Sequence, residues 1–182
     1  MSQQLKHISK FMSLVLRHKP EQIGLYIDEN GWASVQELVE KMNAKGVRTD
    51  SGTIYMLVES NEKKRFALNT DKTMIRASQG HSIEVELNLT ALVPPVVLYH
   101  GTSNRFLQSI LDHGLQKQTR NHVHLSATIE TATAVGSRHG KPVVLAINAK
   151  AMHDAGFLFY LSANKVWLTD SVPSQYLYAA EG

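Results

Sequence analysis

The sequence contains no cysteine, no long apolar run and none of the glycine-rich motifs that bind nucleotide phosphates. Without cysteine, the chain of 182 residues has no disulfide, no thiolate zinc site and no cysteine nucleophile. No segment reaches the roughly 18 apolar residues that a membrane helix needs, and the N-terminus lacks the basic and apolar parts of a signal peptide. We therefore expect a cytoplasmic protein, without a membrane partner, that is stabilised by packing.

Acidic residues are few in the second half of the chain, where only Asp112, Glu130, Asp154, Asp170 and Glu181 occur. None of them is spaced like the carboxylate pair of an acid/base couple or of a magnesium site. His122 and His124 alternate along a predicted strand without a carboxylate companion, so we predict no metal site. The formal net charge of +3 is too small to identify a partner, and any anion site must come from local clusters.

Apolar periodicity and capping residues predict helix, strand, helix, helix and hairpin in the first half of the chain. The predicted elements are a helix over 3–17, a strand over 24–27, a helix after Ser34, a helix from Asp50 or Ser51 to about Asn61, and a hairpin of strands 66–68 and 73–76. Ser34 and Glu37 have the spacing of a capping box, in which each side chain satisfies the backbone N–H of the other residue. This element order is typical of a winged-helix module, a variant of the helix-turn-helix architecture.

The only Pro-Pro pair, Pro94-Pro95, marks a joint between two lobes, which we place at residues 1–90 and 91–182. The second lobe has predicted strands at 96–99, 123–126, 142–147, 157–161 and 166–168, with helices after Ser103 and over 128–136. Strands outnumber helices and connections are short, which favours an α+β fold with a split, mostly antiparallel sheet. His100, Gly101 and Thr102 follow the first of these strands, at a strand-to-helix junction where a glycine allows a ligand to approach the main chain.

Three basic clusters lie at the ends of predicted elements: Arg17-His18-Lys19, Lys63-Lys64-Arg65 and Arg138-His139-Gly140-Lys141. Arginine side chains bind phosphate oxygens in a bidentate manner, so two or three converging clusters would hold a phosphate group firmly. Each cluster taken alone has a simpler interpretation, in which basic residues near a helix C-terminus complement the helix dipole and stay solvated. The residue pattern leaves both interpretations open.

Seven segments along the chain combine into one pattern: Leu16-Arg17-His18-Lys19-Pro20, Lys64-Arg65-Phe66, Ile75-Arg76-Ala77-Ser78-Gln79-Gly80-His81-Ser82, Tyr99-His100-Gly101-Thr102, Val123-His124-Leu125-Ser126, Gly136-Ser137-Arg138-His139-Gly140-Lys141-Pro142 and Val166-Trp167-Leu168-Thr169. Together they closely resemble the RNA 2′-phosphotransferase family, the enzymes best known for completing tRNA splicing. The resemblance covers nearly the whole chain. It implies a winged-helix lobe that binds RNA, followed by an ADP-ribosyltransferase-like lobe that binds NAD.

The resemblance implies a reaction in two steps, with NAD as co-substrate and without a metal. In the first step the RNA 2′-phosphate attacks C1″ of the nicotinamide ribose, and nicotinamide leaves as a neutral molecule. In the second step the ribose O2″ of this ADP-ribosylated RNA attacks phosphorus, which gives 2′-hydroxyl RNA and ADP-ribose 1″,2″-cyclic phosphate. A dianionic phosphate nucleophile needs no general base, which agrees with the scarcity of carboxylates in the second half.

The resemblance also implies roles for individual residues. The family's catalytic Arg-His-Arg-Arg set maps onto Arg17, His18, Arg65 and Arg138. The arginines are expected to position the phosphate and stabilise both transition states, while His18 donates to the phosphate or moves the proton of the second step. The residues implied in NAD binding are Tyr99, His100, Gly101, Thr102, His124, Ser126 and Val166, the last in place of the glutamate of protein ADP-ribosyltransferases. Those implied in RNA binding are Lys19, Lys64, Arg76, His81 and Ser82, with bracing of the lobes as the open alternative for the segment from Arg76 to Ser82.

Two other functions compete with this interpretation. A winged-helix DNA-binding regulator fits the first lobe, but the third predicted helix, residues 51–61, carries no basic side chain for a phosphate backbone. An ADP-ribosyltransferase that modifies proteins or nucleic-acid phosphate ends fits the second lobe, and the missing glutamate is the argument against it. We therefore expect an enzyme that acts as a monomer on a tRNA-like RNA with an internal 2′-phosphate.

Overall fold

The computed structural model describes residues 1–180 and divides the chain into two compact units, Met1–Asn88 and the part from Leu89 onward. The sequence analysis placed this division after residue 90. Both units combine helices with small antiparallel sheets, so the α+β class predicted from the sequence is confirmed. Within residues 1–180, none of the helices has the length and apolar character needed to cross a bilayer.

The first unit has three helices and one three-stranded sheet within its described residues. Its elements are α1 (Gln3–Arg17), a 3-10 turn (Pro20–Gln22), β1 (Ala33–Ser34), α2 (Val35–Ala44), α3 (Ser51–Ser60), β2 (Phe66–Leu68) and β3 (Met74–Ala77). The strands pair antiparallel in the order β1-β3-β2, so the last strand along the chain lies in the middle. The side chains of Met12, Leu38, Ile54 and Ile75 are fully buried in the core between the helices and this sheet.

Helices α1 and α3 begin at the capping side chains that precede them. The Leu5 N–H donates to the Ser2 hydroxyl (3.2 Å), and the Thr53 N–H donates to the Asp50 carboxylate (2.7 Å). Each bond satisfies one of the backbone N–H groups that a helix leaves unpaired in its first turn. Consequently α1 has the predicted bounds, and α3 starts directly after Asp50.

The predicted capping box at α2 forms only in part. The Glu37 N–H donates to the Ser34 hydroxyl (3.2 Å), as predicted. The Glu37 carboxylate, however, accepts from the Tyr26 N–H (3.2 Å) and pairs with the Lys41 ammonium (2.7 Å). The reciprocal bond to Ser34 is therefore replaced by contacts that fasten the preceding loop to α2.

The strand predicted over residues 24–27 is wrong. Gly24 lies in a turn with a positive φ, and the segment pairs with no strand among the described residues. The strand of this region is β1, where Ala33 pairs with Ile75. A turn intervenes because the Asp28 carboxylate accepts from the N–H groups of Asn30 and Trp32 (2.9 Å each). Leu25 is nevertheless buried, so the apolar pattern reports core packing here without a hydrogen-bonded ladder.

The second unit consists of short strands with three helices within its described residues. Its elements are β4 (Leu98–Ser103), α4 (Asn104–His113), β5 (Leu115–Gln116), β6 (Val123–Leu125), α5 (Ile129–Gly136), a 3-10 turn (Ser137–His139), β7 (Pro142–Ile147), α6 (Ala149–Asp154), β8 (Tyr160–Leu161), β9 (Trp167–Thr169), β10 (Ser171–Val172), a 3-10 turn (Ser174–Tyr176) and β11 (Leu177–Ala179). The strands form two antiparallel sheets, β11-β7-β4 and β6-β9-β8, and a small ribbon, β10-β5. This arrangement agrees with the split, antiparallel sheet predicted from the sequence.

Strand β4 is longer than predicted and includes residues that were expected after its end. His100, Gly101 and Thr102 pair with residues of β7 and lie inside the ladder, so the predicted strand-to-helix junction at these residues is wrong. Because successive side chains of a strand project to opposite faces, His100 and Thr102 share one face of β4, and Tyr99 and Gly101 share the other.

Candidate functional site

The first basic cluster lies at the C-terminal end of α1. Arg17 is the last helical residue, and His18 is the C-cap. The Arg17 carbonyl accepts hydrogen bonds from the backbone N–H groups of Ser82 (2.9 Å) and Ile83 (3.4 Å). In addition, Nδ1 of His18 lies 2.8 Å from the Ser82 hydroxyl oxygen. Ser82 therefore holds the end of α1 through both its backbone and its side chain.

Arg65 is held in a similar way at the start of β2. Its carbonyl accepts from the Ser78 N–H (2.9 Å), and the Ser78 hydroxyl donates to the Lys64 carbonyl (2.8 Å). Ser78 directly follows β3, and the chain runs from it towards Ser82. Residues 78–83, which we call the 78–83 segment, thus bind Arg65 near one end and Arg17 and His18 near the other.

His81 lies between these two anchor points and is almost fully buried, with 1% of its surface exposed. Burial is the main cause that lowers the pKa of His81 to about 4, and the positive charges of Arg17, His18 and Arg76 lower it further. At neutral pH the ring is uncharged, because the charged form would be desolvated among other cations. Arg17, His18 and Arg76, which were all predicted as site residues, thus lie within electrostatic range of the neutral His81 ring.

Arg76 makes its contacts inside the first unit, and His81 is buried there. The Arg76 guanidinium lies 4.5 Å from the centre of the Trp32 ring, and Nη1 donates to the Asn30 carbonyl (3.3 Å). Burial lowers the pKa of Arg76, and the charge of Asp28 opposes this shift. With 1% exposure, His81 offers almost no surface in this structure, and its predicted role in RNA binding stays a prediction.

The other residues predicted to bind RNA, Lys19, Lys64 and Ser82, are exposed. The Lys64 ammonium donates to the Glu59 carbonyl (3.1 Å), a neutral partner that leaves the positive charge unpaired in this contact. These three residues lie next to the anchored residues His18, Arg65 and His81 along the chain. A phosphate backbone that approached the anchored arginines would therefore also meet exposed lysines.

In the second unit, His100 and His124 are in contact. Nδ1 of His100 lies 3.1 Å from the His124 carbonyl oxygen, and since a carbonyl only accepts, His100 carries a proton on Nδ1. Burial lowers the pKa of His100, the bond to His124 opposes this shift, and the charge of Arg120 adds to it. At neutral pH the ring is therefore neutral and presents Nε2 as an acceptor.

Arg120, which the sequence analysis did not select, belongs to the same cluster. Its Nη1 lies 3.2 Å from Nδ1 of His124, and since a guanidinium only donates, Nδ1 of His124 is the acceptor. The side chain keeps exposed surface, but partial burial of its charged end lowers the pKa of Arg120, and the charge of Arg138 lowers it further. Arg120 thus stands within electrostatic range of His100 and Arg138, and both arginines have exposed side chains.

The sequence analysis missed Arg120 because it searched for runs of basic residues. Arg120 has no basic neighbour in sequence and precedes β6 at the end of a loop. Its position just before a strand that carries His124 was the signal available. A single arginine at the start of a strand has, however, no local pattern that separates it from an ordinary surface residue.

The face of β4 opposite His100 is used for packing. A Cβ atom at Gly101 would lie 1.6 Å from the Ala132 carbonyl oxygen of α5, so the glycine is required by the helix that covers it. Gly101 is thus needed for packing against α5, and its predicted role in NAD binding stays a prediction. Tyr99 shares the face and lines a small groove with Ala146 and Tyr178. Tyr99 and His100 consequently do not line one pocket together.

The remaining residues predicted to bind NAD are brought together in part. Thr102 lies on the His100 face of β4 and is buried. Ser126 exchanges two backbone hydrogen bonds with Tyr99 (2.8 and 2.7 Å). Val166 directly precedes β9, and its N–H donates to the Ser162 hydroxyl (3.0 Å). The structure thus groups His100 with His124, and Ser126 with Tyr99.

The histidines and acidic residues of the described chain do not form a metal cluster. Within residues 1–180, no group of three or more histidine and acidic side chains could hold a metal ion. A groove of about 510 Å³ in the first unit is lined by Gln4, Leu5, Ile8, Asn43, Arg48, Thr49, Asp50 and Thr53, and it includes none of the predicted site residues. The site is therefore defined by the hydrogen bonds and charges described above.

Comparison with known proteins identifies the family. The family model described as RNA 2′-phosphotransferase, Tpt1 / KptA family, matches residues 3–171. The chain belongs to the RNA 2′-phosphotransferase family. Proteins named probable RNA 2′-phosphotransferase from Flavobacterium johnsoniae, Hahella chejuensis and Acaryochloris marina are 59%, 56% and 54% identical to it. The alignments cover 94%, 97% and 100% of this chain and 94%, 95% and 100% of theirs, so the resemblance found in the sequence is confirmed.

Proposed function

We propose that this protein transfers an internal 2′-phosphate of RNA to NAD through an ADP-ribosylated RNA. The products are 2′-hydroxyl RNA, nicotinamide and ADP-ribose 1″,2″-cyclic phosphate. Membership of the RNA 2′-phosphotransferase family supports an enzyme that removes the RNA 2′-phosphate. The element order of the first unit supports a winged-helix lobe, and the paired small sheets of the second unit support an ADP-ribosyltransferase-like lobe.

The observation that carries the proposal is the anchoring of Arg17, His18 and Arg65 by the 78–83 segment. Ser78 and Ser82 are four residues apart, and a fully extended chain spans at most about 3.5 Å per residue, so their Cα atoms lie within about 14 Å. The hydrogen bonds from Ser78 and Ser82 therefore bring the backbones of Arg65 and Arg17 to within the reach of two long side chains. Two guanidinium groups and an imidazole suit a phosphate dianion, because they donate to its oxygens and balance its charge.

The second unit offers groups that fit the ribose and phosphate parts of a dinucleotide. Nε2 of neutral His100 is an acceptor and can bind a sugar hydroxyl, and Arg120 and Arg138 supply positive charge for phosphates. Bound NAD supplies an electrophilic ribose carbon whose leaving group departs without a proton. The enzyme then needs no general acid for that departure, which agrees with the few carboxylates of this half.

The anchored residues perform the remaining chemistry. The arginines hold the 2′-phosphate oxygens and stabilise the charge that spreads over the equatorial oxygens when phosphorus is attacked. His18 takes the proton from the attacking ribose O2″ and returns it to the departing RNA O2′, so the proton count is unchanged over the step. The P–O2′ bond breaks as the P–O2″ bond forms.

Two arginines of the second unit are candidates for the fourth catalytic position. Family resemblance assigns it to Arg138, which is exposed in the 3-10 turn after α5. Arg120 contacts His124 directly and lies within range of His100, and its charged end is partly buried. Since its hydrogen bond to His124 holds Arg120 beside the His100 and His124 cluster, we propose that Arg120 donates to the reacting phosphate and that Arg138 adds positive charge.

The proposed function is tested by product analysis. The protein is incubated in EDTA with NAD and a short RNA that carries one internal 2′-phosphate, and the products are separated by chromatography. We expect loss of the 2′-phosphate only when NAD is present, with one nicotinamide released per phosphate removed. An RNA of the same sequence without the 2′-phosphate is the control and should release no nicotinamide. Phosphate loss that proceeds without NAD would refute the proposal.

A further inference from the structure

We propose that Ser82 is a positioning residue that orients the His18 ring for the proton transfer of the second step. This inference rests on the proposed function, in which His18 moves the proton of the second step. Ser82 was predicted to bind RNA, but its contacts in the structure are directed to the end of α1.

Two hydrogen bonds define the contact between Ser82 and α1. The Ser82 N–H donates to the Arg17 carbonyl (2.9 Å), which fixes the backbone of Ser82 beside the residue that precedes His18. From this position the hydroxyl oxygen lies 2.8 Å from Nδ1 of His18. The backbone bond therefore sets where the hydroxyl stands, and the hydroxyl in turn fixes the rotation of the imidazole ring.

The contact also determines which ring nitrogen serves the proton transfer. An imidazole has two nitrogen atoms, and with Ser82 at Nδ1 we assign the proton transfer of the second step to Nε2. His18 is the C-cap of α1 and is only half-buried, so a ligand can reach this ring. His81, by contrast, is buried and has no access for a substrate.

A serine hydroxyl suits a histidine that gains and loses a proton. The hydroxyl accepts from Nδ1–H when Nε2 is the base and also when the ring is doubly protonated. It can also donate to Nδ1, which places the proton on Nε2 for a hydrogen bond to a phosphate oxygen. A carboxylate in the same place would only accept, and it would also repel the phosphate. Ser82 thus keeps one ring orientation through each protonation state that the two-step reaction requires.

The inference is tested with Ser82→Ala and Ser82→Thr, with Ser2→Ala as matched control. Ser2→Ala removes a hydroxyl hydrogen bond from the opposite end of the same helix, so it reports the effect of weakening α1 alone. We expect Ser82→Ala to lower kcat by about tenfold, the value of one hydrogen bond, with little change in KM for NAD. Ser82→Thr keeps the hydroxyl and should recover most of this loss, and Ser2→Ala should leave kcat unchanged.

A second readout needs no substrate. Long-range ¹H–¹⁵N correlation spectra of the full-length protein report the protonation of each nitrogen of His18. We expect the Nδ1 and Nε2 shifts of His18 to change in Ser82→Ala and to stay at wild-type values in Ser82→Thr and Ser2→Ala. Unchanged His18 shifts in Ser82→Ala, or a kcat equal to that of wild type, would overturn the inference. If the wild-type protein fails to act on 2′-phosphorylated RNA while the shifts change as expected, the proposed function fails and the Ser82 contact stands.

Discussion

The two arginines of the second unit differ in environment, and this difference predicts unequal roles. Both side chains are exposed, but Arg120 is oriented by its hydrogen bond to His124, and partial burial of its charged end lowers its pKa. We expect Arg120→Ala to lower kcat by about 100-fold or more, the typical cost of one preorganised donor to a charged transition state. Arg138→Ala should have a smaller effect, of about tenfold, because we assign to Arg138 only a contribution of charge, which solvent screens.

Lysine substitutions separate charge from geometry at the same positions. Arg120→Lys keeps the positive charge but cannot make the forked contact with a phosphate, so we expect it to remain impaired. Arg138→Lys should retain most activity if Arg138 acts mainly through its charge. Steady-state kinetics on 2′-phosphorylated RNA provide the measurement, and a nearly active Arg120→Ala beside an inactive Arg138→Ala would reverse the assignment.

The lowered pKa of His81 predicts that the stability of the first unit depends on pH. Its pKa falls from the ordinary 6.5 to about 4 in the folded protein, first because of burial. Below pH 6.5 the unfolded chain binds a proton that the folded chain does not, so stability falls as the pH drops from about 6.5 to about 4. Between pH 7 and pH 5 this linkage amounts to about 2 kcal/mol.

Two measurements check this linkage. Urea unfolding of wild type and His81→Gln at pH 7 and pH 5 should show a smaller loss in the variant, which has no titrating group at this position. NMR titration of the His81 ring protons in the folded protein should give a pKa well below that of a solvent-exposed histidine. Titration of His81 near 6.5 would contradict the buried, neutral state.

At the scale of elements, the contact between β4 and α5 depends on Gly101. A methyl group there would overlap the Ala132 carbonyl, so we expect Gly101→Ala to lower the free energy of unfolding by about 3 kcal/mol or more. Gly52 of α3 is the matched control, because an added Cβ meets only the Asp50 carboxylate at an ordinary 3.4 Å. Gly52→Ala should stabilise the protein by roughly 0.5–1 kcal/mol, since alanine favours a helix. Thermal unfolding measures both, and equal stability of the two variants would refute the packing role of Gly101.

Elements with local signals could be predicted from the sequence, and elements with non-local pairing could not. Helix α1 follows from its apolar period and from Pro20 beyond its end, and α3 from the cap at Asp50. The segment 24–27 has the apolar pattern of a strand, but the turn that Asp28 closes moves the paired strand to Ala33–Ser34. The strand predicted over 157–161 pairs only at Tyr160–Leu161, although Phe159 is fully buried. Burial alone therefore produced an apolar run that was mistaken for a longer strand.

The same distinction applies to the candidate site. Arg17, His18 and Arg65 were selected because they lie in motifs that resemble the family. Arg120 was missed because it has no basic neighbour in the sequence, and the Ser82 contact with His18 was missed because these two residues are separated by 64 positions. A hydrogen bond over that separation leaves no periodic or compositional signal in one sequence.

At the scale of the whole molecule, each unit has its own apolar core and its own cluster of site residues. The first unit anchors Arg17, His18 and Arg65 on one segment, and the second groups His100, His124 and Arg120. The net charge of +3 is too weak to concentrate phosphates over the surface. Recognition of a phosphate therefore depends on these local clusters, and variants in either unit should impair the same reaction.

The central claim is that the phosphorus atom leaves RNA on ADP-ribose. The most direct test uses RNA with a ³²P label in one internal 2′-phosphate, incubated with the enzyme and NAD, and follows the label by chromatography. The proposed reaction predicts that the label passes through an RNA-linked species and ends in ADP-ribose 1″,2″-cyclic phosphate. Label recovered as inorganic phosphate, with NAD unconsumed, would contradict it.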